Sequence, residues 1–416
     1  MKILLSAYAC EPGRGSEPGI GWNIAWQIAH YHEVWVLTRP VEGRPAIEAE
    51  LARNPVPNLN FIYFTLPFWA GDWKLSGQRF IQLHYYLWQI QAYFVARKLH
   101  RQIGFDLISH ITFGKYWGPS FLSLLPVPFI WGPVGGGESA PKAFWNDFSF
   151  RGQLYETLRD LARWLGEYDP FVSLTFKRSA LILATTDDTA KKLNRLGEND
   201  IRIFSNVGLS KAEITHLAQC RIPKTNPVRF ISIGRLLHWK GFHLALRAFA
   251  LANLEEAEYW LIGDGPERKR LELLTSELNV TGKVCFWGDL PRHDLFSKLE
   301  ECHVLLHPSL HESGGFVCSE VMAAGRPVIC LDMGGPSLQV TEETGIKIPA
   351  HDPDQTVRSL AEAMTRLARN PELRQKMGQA GQKRVKEEYD WDVKGERLVK
   401  LYEALITNQS LPTNSD

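Results

Sequence analysis

The chain has 416 residues, 44% of them hydrophobic and 22% charged, with a formal net charge of +1. That length predicts two or three domains with ordinary globular cores, and near-neutrality argues against a nucleic-acid partner. The apolar stretch 78–100 is broken by Gln82, His84, Gln89 and Gln91, so no membrane span is expected. The six scattered cysteines fit free thiols in a reducing cytoplasm rather than a disulfide framework or a zinc site.

The first residues, MKILLSAYAC, could be mistaken for a short leader ending at Cys10. The apolar run is too short and Glu11 follows at once, so residues 2–8 read as a first β-strand. Further strands are expected at 33–38, 60–65, 106–110, 127–132, 180–185 and 201–205, with helices at 19–31, 78–102 and 150–177. The polar segment 207–227 reads as a linker. The pattern then restarts, with strands at 228–233, 258–262, 284–287, 303–307 and 327–331. Helices follow at 241–253, 266–279, 292–300 and 316–324, and the chain is helical and charged from about residue 353. Short apolar runs alternating with helices predict an α/β fold with parallel sheets. The boundaries expected are 1–208 for a first Rossmann-like domain, 209–390 for a second, and 391–416 for a terminal helix packing back on the first.

The most informative stretch is HPSLHESGGFVCSEVMAAGRPVI, residues 307–329. Two acids, Glu312 and Glu320, bracket the turn Gly314-Gly315 at the start of a helix. Glycines permit close backbone approach, and the following helix offers unpaired N–H groups and a positive dipole end to an anion. Glu320 lies about one turn into a helix that is apolar on nearly every side, where a carboxylate needs a partner such as a vicinal diol. An anionic centre flanked by hydroxyls describes a nucleotide sugar. The bland alternative for Glu320 is a solvated helix residue.

Gly234-Arg235 follows strand 228–233, and Lys240-Gly241 precedes the next helix. Both bases stand where such folds bind ligands, and a diphosphate would account for them; otherwise they are two surface cations. Gly263-Asp264-Gly265 and Gly288-Asp289 end later strands and could line a base or ribose pocket, or be simple turns. In the first half, Gly15 to Gly21 reads as a loop between strand and helix where a phosphate or sugar could approach. It is not GxGxxG, so no nicotinamide fingerprint is present. His110 ends a strand and is expected to face a cleft, against the alternative of a hydrogen-bonded structural residue. GPVGGGE, 132–138, would shape the acceptor side or be a flexible turn. The aromatic region 60–180 reads first as core packing. A second reading is a surface for a membrane-borne acceptor, built from Trp69, Trp73, Tyr85, Tyr86, Trp88, Phe144, Trp145 and Phe148 with Arg79, Arg97, Lys98 and Arg101.

GRLLHWKGF (234–242), LIGDGPER (261–268), VCFWGDLPRHDL (284–295) and the 307–329 stretch together resemble glycosyltransferase family 4, the retaining enzymes of GT-B fold, also called glycosyl transferase group 1. The resemblance implies two Rossmann-like domains facing each other across a cleft. It implies transfer of a hexose from an NDP-sugar, UDP- or GDP-linked, to a hydroxyl of a glycan or lipid-linked acceptor in cell-surface polysaccharide or glycolipid synthesis. Arg235 and Lys240 would hold the diphosphate and Glu312 the sugar hydroxyls. Gly314, Gly315 and Phe316 would meet sugar and phosphate through their backbone. Glu320 would bind ribose, Gly288 would lie by the base, His110 by the sugar and Gly19 by the phosphates. No cofactor and no metal are expected, because bases and a helix end would stabilise the leaving group. The protein would be cytoplasmic, with peripheral contact at the inner membrane face one implication. The family's usual hinge reads Asn206-Val207-Gly208-Leu209 here, and its glycine pair reads Gly19-Ile20-Gly21. Two other readings use the same scaffold, a nucleotide-sugar 2-epimerase and a non-catalytic binding protein. A dehydrogenase lacks its fingerprint.

Overall fold

The computed structural model describes residues 1–66, 81–221, 223 and 226–410. In chain order the elements begin with β1 (Lys2–Ser6), α1 (Ser16–Ala29), β2 (Glu33–Thr38), α2 (Pro40–Arg53), β3 (Leu59–Tyr63), α3 (Ile81–Ile103) and β4 (Leu107–His110). Next come β5 (Phe129–Val134), α4 (Phe150–Glu167), α5 (Pro170–Arg178), β6 (Leu181–Ala184), α6 (Asp187–Leu193) and β7 (Ile201–Ile203). The middle of the chain holds α7 (Lys211–Ala218), β8 (Val228–Ile233), α8 (Phe242–Ala252), β9 (Ala257–Ile262), α9 (Arg268–Glu277), β10 (Val284–Gly288) and α10 (Arg292–Glu301). The last part runs through β11 (Val304–His307), α11 (Phe316–Ala323), β12 (Val328–Leu331), α12 (Gly334–Gln339), β13 (Gly345–Ile348), α13 (Pro353–Arg369), α14 (Pro371–Arg384) and α15 (Trp391–Ser410).

The chain divides into two units, one formed by 1–137, 160–206 and 391–416, the other by 138–159 and 207–390. In the first, seven parallel strands run in the order β3-β2-β1-β4-β5-β6-β7. The central strands are buried on both faces, as ILL in β1 and LISH in β4 require. Ser6 stands opposite His110 in the β1–β4 pair. The strand order reverses between β1 and β4, and ligands in such sheets bind beyond the strand ends at that point. Trp88, Trp131, Phe129 and Phe176 fill the core. α15 packs on α1, with Gln27 Nε2 donating to Asp392 Oδ1 at 2.8 Å and Tyr402 donating to Ser109 at 2.8 Å.

The second unit has six parallel strands in the order β10-β9-β8-β11-β12-β13, so its reversal falls between β8 and β11. One face packs Phe230, Leu246 and Phe249 against Leu360 and Met364. The other packs Leu305 and Val328 against Val321, Met322 and Leu217.

Several elements depart from the sequence reading. A boundary at 208 keeps 138–159 in the first domain, whereas these residues belong to the second unit, because Phe144 and Phe148 fill its core. Burying each ring is worth roughly 1.5–3 kcal/mol, enough to hold the excursion. The helix expected over 150–177 is two, since Asp169 caps a new helix whose first residue is Pro170. The linker holds α7, announced by Ser210 and Glu213, which form a reciprocal capping box. α1 begins at Ser16, so Gly19 and Gly21 lie inside the helix rather than in the loop before it. Trp69, Trp73 and Arg79 lie outside the described residues. Tyr85, Trp88, Phe144 and Phe148 are buried, so core packing is what these rings do.

Candidate functional site

β8 and β11, the strands flanking the second reversal, each deliver a loop with candidate residues. After β8 the chain passes Gly234 and an exposed Arg235, then a 3-10 turn at His238–Lys240. Gly241 closes that turn at φ 68°, and a Cβ there would stand 1.9 Å from the Pro308 carbonyl oxygen. Only glycine lets the two loops approach this closely. Leu310 N–H donates to Trp239 O at 2.7 Å, joining them further.

This juxtaposition brings Lys240 Nζ to 2.7 Å from Glu312 Oε2, the same oxygen that His307 Nε2 meets at 2.8 Å. Burial alone would push the Glu312 carboxyl up. The Lys240 ammonium and the His307 ring outweigh it and hold the group well below the usual carboxylate range. Glu312 is therefore an anion pinned through Oε2 by a cation and a histidine. Its carbonyl accepts from Gly335 N–H at 2.7 Å.

Gly315 follows at φ 92°, where a Cβ would meet Pro336 Cγ at 3.0 Å. This left-handed residue precedes α11, whose N-terminus carries no side-chain cap and no acid in its first turn. Unpaired amides and the helix dipole are thus presented for an anion. Gln339 fixes the turn, donating to the Gly314 carbonyl at 2.7 Å while accepting from Ser319 at 2.9 Å. Ser313 donates to Glu138, tying the turn to the 138–159 excursion.

Glu320, one turn into α11, is salt-bridged to Arg292 at 2.9 Å, and Arg292 also meets Glu213 at 2.6 Å. Burial raises the Glu320 carboxyl, Arg292 lowers it and Glu213 raises it, with a net upward shift. Gly288 ends β10 and accepts from Gly263 N–H at 2.8 Å, while Asp289 accepts from Asp264 N–H at 2.9 Å, so the two expected turns brace each other.

Behind the Lys240–Glu312 pair lies a buried polar cluster that sequence reasoning missed. Glu156, on the first half of α4, accepts from His238 Nε2 and His311 Nε2, each at 3.0 Å, through one oxygen. Trp239 stacks on His311 at 5.0 Å and 18°. Burial would raise the Glu156 carboxyl, but the two imidazoles and then Arg159 carry it well below its usual range. The cluster anchors the loops after β8 and β11 to α4.

In the first unit, His110 is buried at the end of β4, with Tyr85 OH 2.9 Å from Nε2 and Ser120 Oγ 3.1 Å from Nδ1. Burial lowers its pKa to about 4, so the ring is neutral near pH 7. Gly19 sits where a Cβ would meet the Arg14 carbonyl oxygen at 2.0 Å. Glu17, unremarked in sequence, accepts from Phe113 N–H at 2.8 Å and joins the start of α1 to the turn after β4.

Of the residues singled out in the second half, Lys240 and Glu312 are in direct contact, Glu320 pairs with Arg292 and Gly288 with Gly263, and Arg235 makes no ion pair or hydrogen bond among the described residues. The additions are His307, Arg292, Glu213 and Glu156. The two histidines inside HPSLHE gave a signal for this network, since a histidine next to an acid in a buried turn needs a partner.

Residues 218–384 match the family described as Glycosyl transferases group 1. Among curated relatives, the lipopolysaccharide core biosynthesis glycosyltransferase LpsE of Rhizobium meliloti (strain 1021) is 31% identical over 222 residues, 52% of this chain and 62% of that protein. The colanic acid biosynthesis glycosyltransferase WcaL of Escherichia coli (strain K12), described as putative, is 28% identical over 255 residues, 58% of this chain and 61% of that one. The chain thus spans about six-tenths of the length of these relatives. Among solved structures, sucrose-phosphate synthase from Thermosynechococcus elongatus aligns with TM-score 0.67 at 20% identity, covering 98% of this chain and 99% of that one. Anabaena HepE in complex with UDP and glucose aligns with TM-score 0.61 at 17% identity, over 97% and 100%. These likenesses support the α/β fold with two Rossmann-like units, the GT-B class. The stretch 218–384, which carries Arg235, Lys240, Glu312 and Glu320, is where this chain is similar to the glycosyl transferases group 1.

Proposed function

We propose that the protein is a retaining hexosyltransferase. It moves a sugar from an NDP-sugar to a hydroxyl of a glycan or lipid-linked acceptor in polysaccharide or lipopolysaccharide assembly. The observation that carries this is the Lys240–Glu312–His307 triad beside the uncapped N-terminus of α11. A cation from the loop after β8 pairs with a carboxylate that lies shortly before an uncapped helix, an arrangement that suits a diphosphate next to a hydroxyl-bearing ring. LpsE and WcaL, named for core lipopolysaccharide and colanic acid biosynthesis, support the acceptor class.

In the reaction, Lys240 and Arg235 bind the diphosphate oxygens with the α11 amides, and charge appearing on the leaving group is stabilised there without a metal. On binding, Lys240 shares its charge between Glu312 and the phosphate. Glu312 accepts hydrogen bonds from the donor hexose. Glu320 exchanges part of its Arg292 pairing for the ribose diol. The acceptor oxygen forms its bond to the anomeric carbon on the face from which the diphosphate oxygen leaves, and the acceptor proton passes to that oxygen, retaining configuration. His110 enters by resemblance, and its neutral ring would serve as a hydrogen-bonding group rather than an acid.

Incubation with UDP-, GDP- and ADP-sugars, scored by thermal shift and slow release of nucleoside diphosphate, tests the proposal. One donor should raise the melting temperature and be hydrolysed slowly, and Glu312→Gln should abolish hydrolysis. If none shifts melting, or if the sugar is epimerised without an acceptor, the reading is wrong.

A further inference from the structure

Four residues other than glycine adopt the left-handed backbone among the described residues, and two of them, Asn253 and Asn279, are of a type that tolerates it. The other two, Ser16 at φ 61° and Phe113 at φ 57°, converge on one carboxylate. Ser16 directly precedes Glu17, and Phe113 N–H donates to Glu17 Oε2 at 2.8 Å. A bulky residue persists in this conformation only where its surroundings over-determine it, and such positions gather at binding and catalytic sites. The Phe113 ring is fixed from inside, edge-on to Tyr8 at 4.7 Å and tilted against Tyr85 at 5.7 Å. With the ring turned into the core, the backbone N–H is left to face Glu17. The turn that carries it is braced from its other side, where Gly135 N–H donates to Gly114 O at 2.9 Å and Tyr116 N–H to Gly135 O at 3.2 Å. Strain and bracing together fix the place of a single acid.

All of these residues belong to the first unit. They lie beyond the ends of β1 and β4, where the strand order reverses. Glu17 is half-buried, so a ligand can reach it. Oε2 is taken by Phe113, whereas Oε1 makes no hydrogen bond or ion pair among the described residues. Burial raises the carboxyl above its ordinary value, against the lowering by Phe113 N–H and by the Lys115 ammonium. A carboxylate still short of solvation gains from one more donor. Lys115 already supplies positive charge nearby, so the missing partner is a neutral donor, and a sugar hydroxyl has that chemistry.

We propose that Glu17 accepts a hydrogen bond from a hexose hydroxyl through Oε1. This rests on the sugar-transfer reading above and adds to it a contact made by the first unit. Two sugars carry such a hydroxyl, the acceptor's and the donor's, and the experiment separates them.

The test compares the full native chain with Glu17→Gln. The glutamine oxygen can still take the Phe113 N–H while its NH2 group replaces the accepting oxygen, so the thermal midpoint should be unchanged. Titration calorimetry uses UDP, GDP and ADP beside UDP-glucose, GDP-mannose and ADP-glucose. Saturation-transfer NMR uses methyl α-glucoside, α-galactoside and α-mannoside. If the hydroxyl is the donor's, the variant should bind an NDP-sugar at least about tenfold more weakly and its nucleoside diphosphate equally well. If it is the acceptor's, a methyl glycoside bound by the native chain should bind the variant at least about tenfold more weakly, with NDP-sugar affinity unchanged. Glu17→Asp keeps the charge but is one methylene too short to serve both partners. It should show the same loss, and it decides the matter if the Gln variant does not fold. Native affinity of the variants for every sugar the native chain binds overturns the proposal and leaves the donor reading standing. An equal loss of nucleoside diphosphate and NDP-sugar marks a structural role and overturns it too. A native chain that binds none of these nucleotides or glycosides overturns both.

Discussion

Replacing Glu156 by Leu removes the one acceptor shared by His238 and His311, both only 7% exposed. Each ring N–H stranded in the interior costs about 1–3 kcal/mol, so two cost about 2–6. The apolar side chain returns about 1–2 by its own burial, leaving a net loss of about 0–5 kcal/mol, centred near 2–3. Glu156→Gln keeps an oxygen at the same place and should cost about 1 kcal/mol or less. Urea unfolding reads the difference in stability between the two variants. Both loops that carry Lys240 and Glu312 hang on these rings, so the Leu variant should also raise KM for the donor more than it lowers kcat. A Leu variant within about 0.5 kcal/mol of wild type, or a Gln variant as damaged as the Leu one, would refute the claim that the shared hydrogen bonds hold the loops.

Lys240→Gln should lower kcat at least about a hundredfold, by loss of a charge on the leaving diphosphate, as seen in single-turnover release. Glu312 is held below its ordinary value of 4.5. Its contribution to stability is therefore complete above that pH and disappears as the pH falls through the depressed value. Below about pH 4.5, native protein should lose stability on acidification more steeply than Glu312→Gln, measured by thermal midpoints across pH. Gly315→Ala forces a Cβ to 3.0 Å from Pro336 Cγ at φ 92°. It should cost about 1–3 kcal/mol in urea unfolding and weaken NDP-sugar binding.

Much of the second unit was legible because its local signals agree. The strand 228–233 has the expected bounds, Gly314-Gly315 begins a helix, and Glu312 and Lys240 meet. What was not legible depends on contacts far apart in sequence. Nothing near Phe144 says that its ring fills a core built from residues a hundred positions on. The orientation of α4 was hidden for a related reason. An amphipathic period shows that a helix has two faces but not which one the protein covers, and here the polar face found Tyr116, His238 and His311. Arg292 was hidden because its partners, Glu213 and Glu320, come from α7 and α11. α7 itself was within reach, since Ser210 and Glu213 stand at capping-box spacing.

The interleaving of the two units constrains how the chain is made. The polypeptide passes between them four times, at 137–138, 159–160, 206–207 and 390–391. α1 is made well before α15, which packs on it, so the first lobe is completed only after the second has been synthesised. Vectorial synthesis thus leaves an unfinished apolar face on the nascent chain throughout the time the second lobe is assembled. Fragments split at residue 208 would leave each lobe short of a piece, which makes separate expression of the halves the wrong way to dissect this protein.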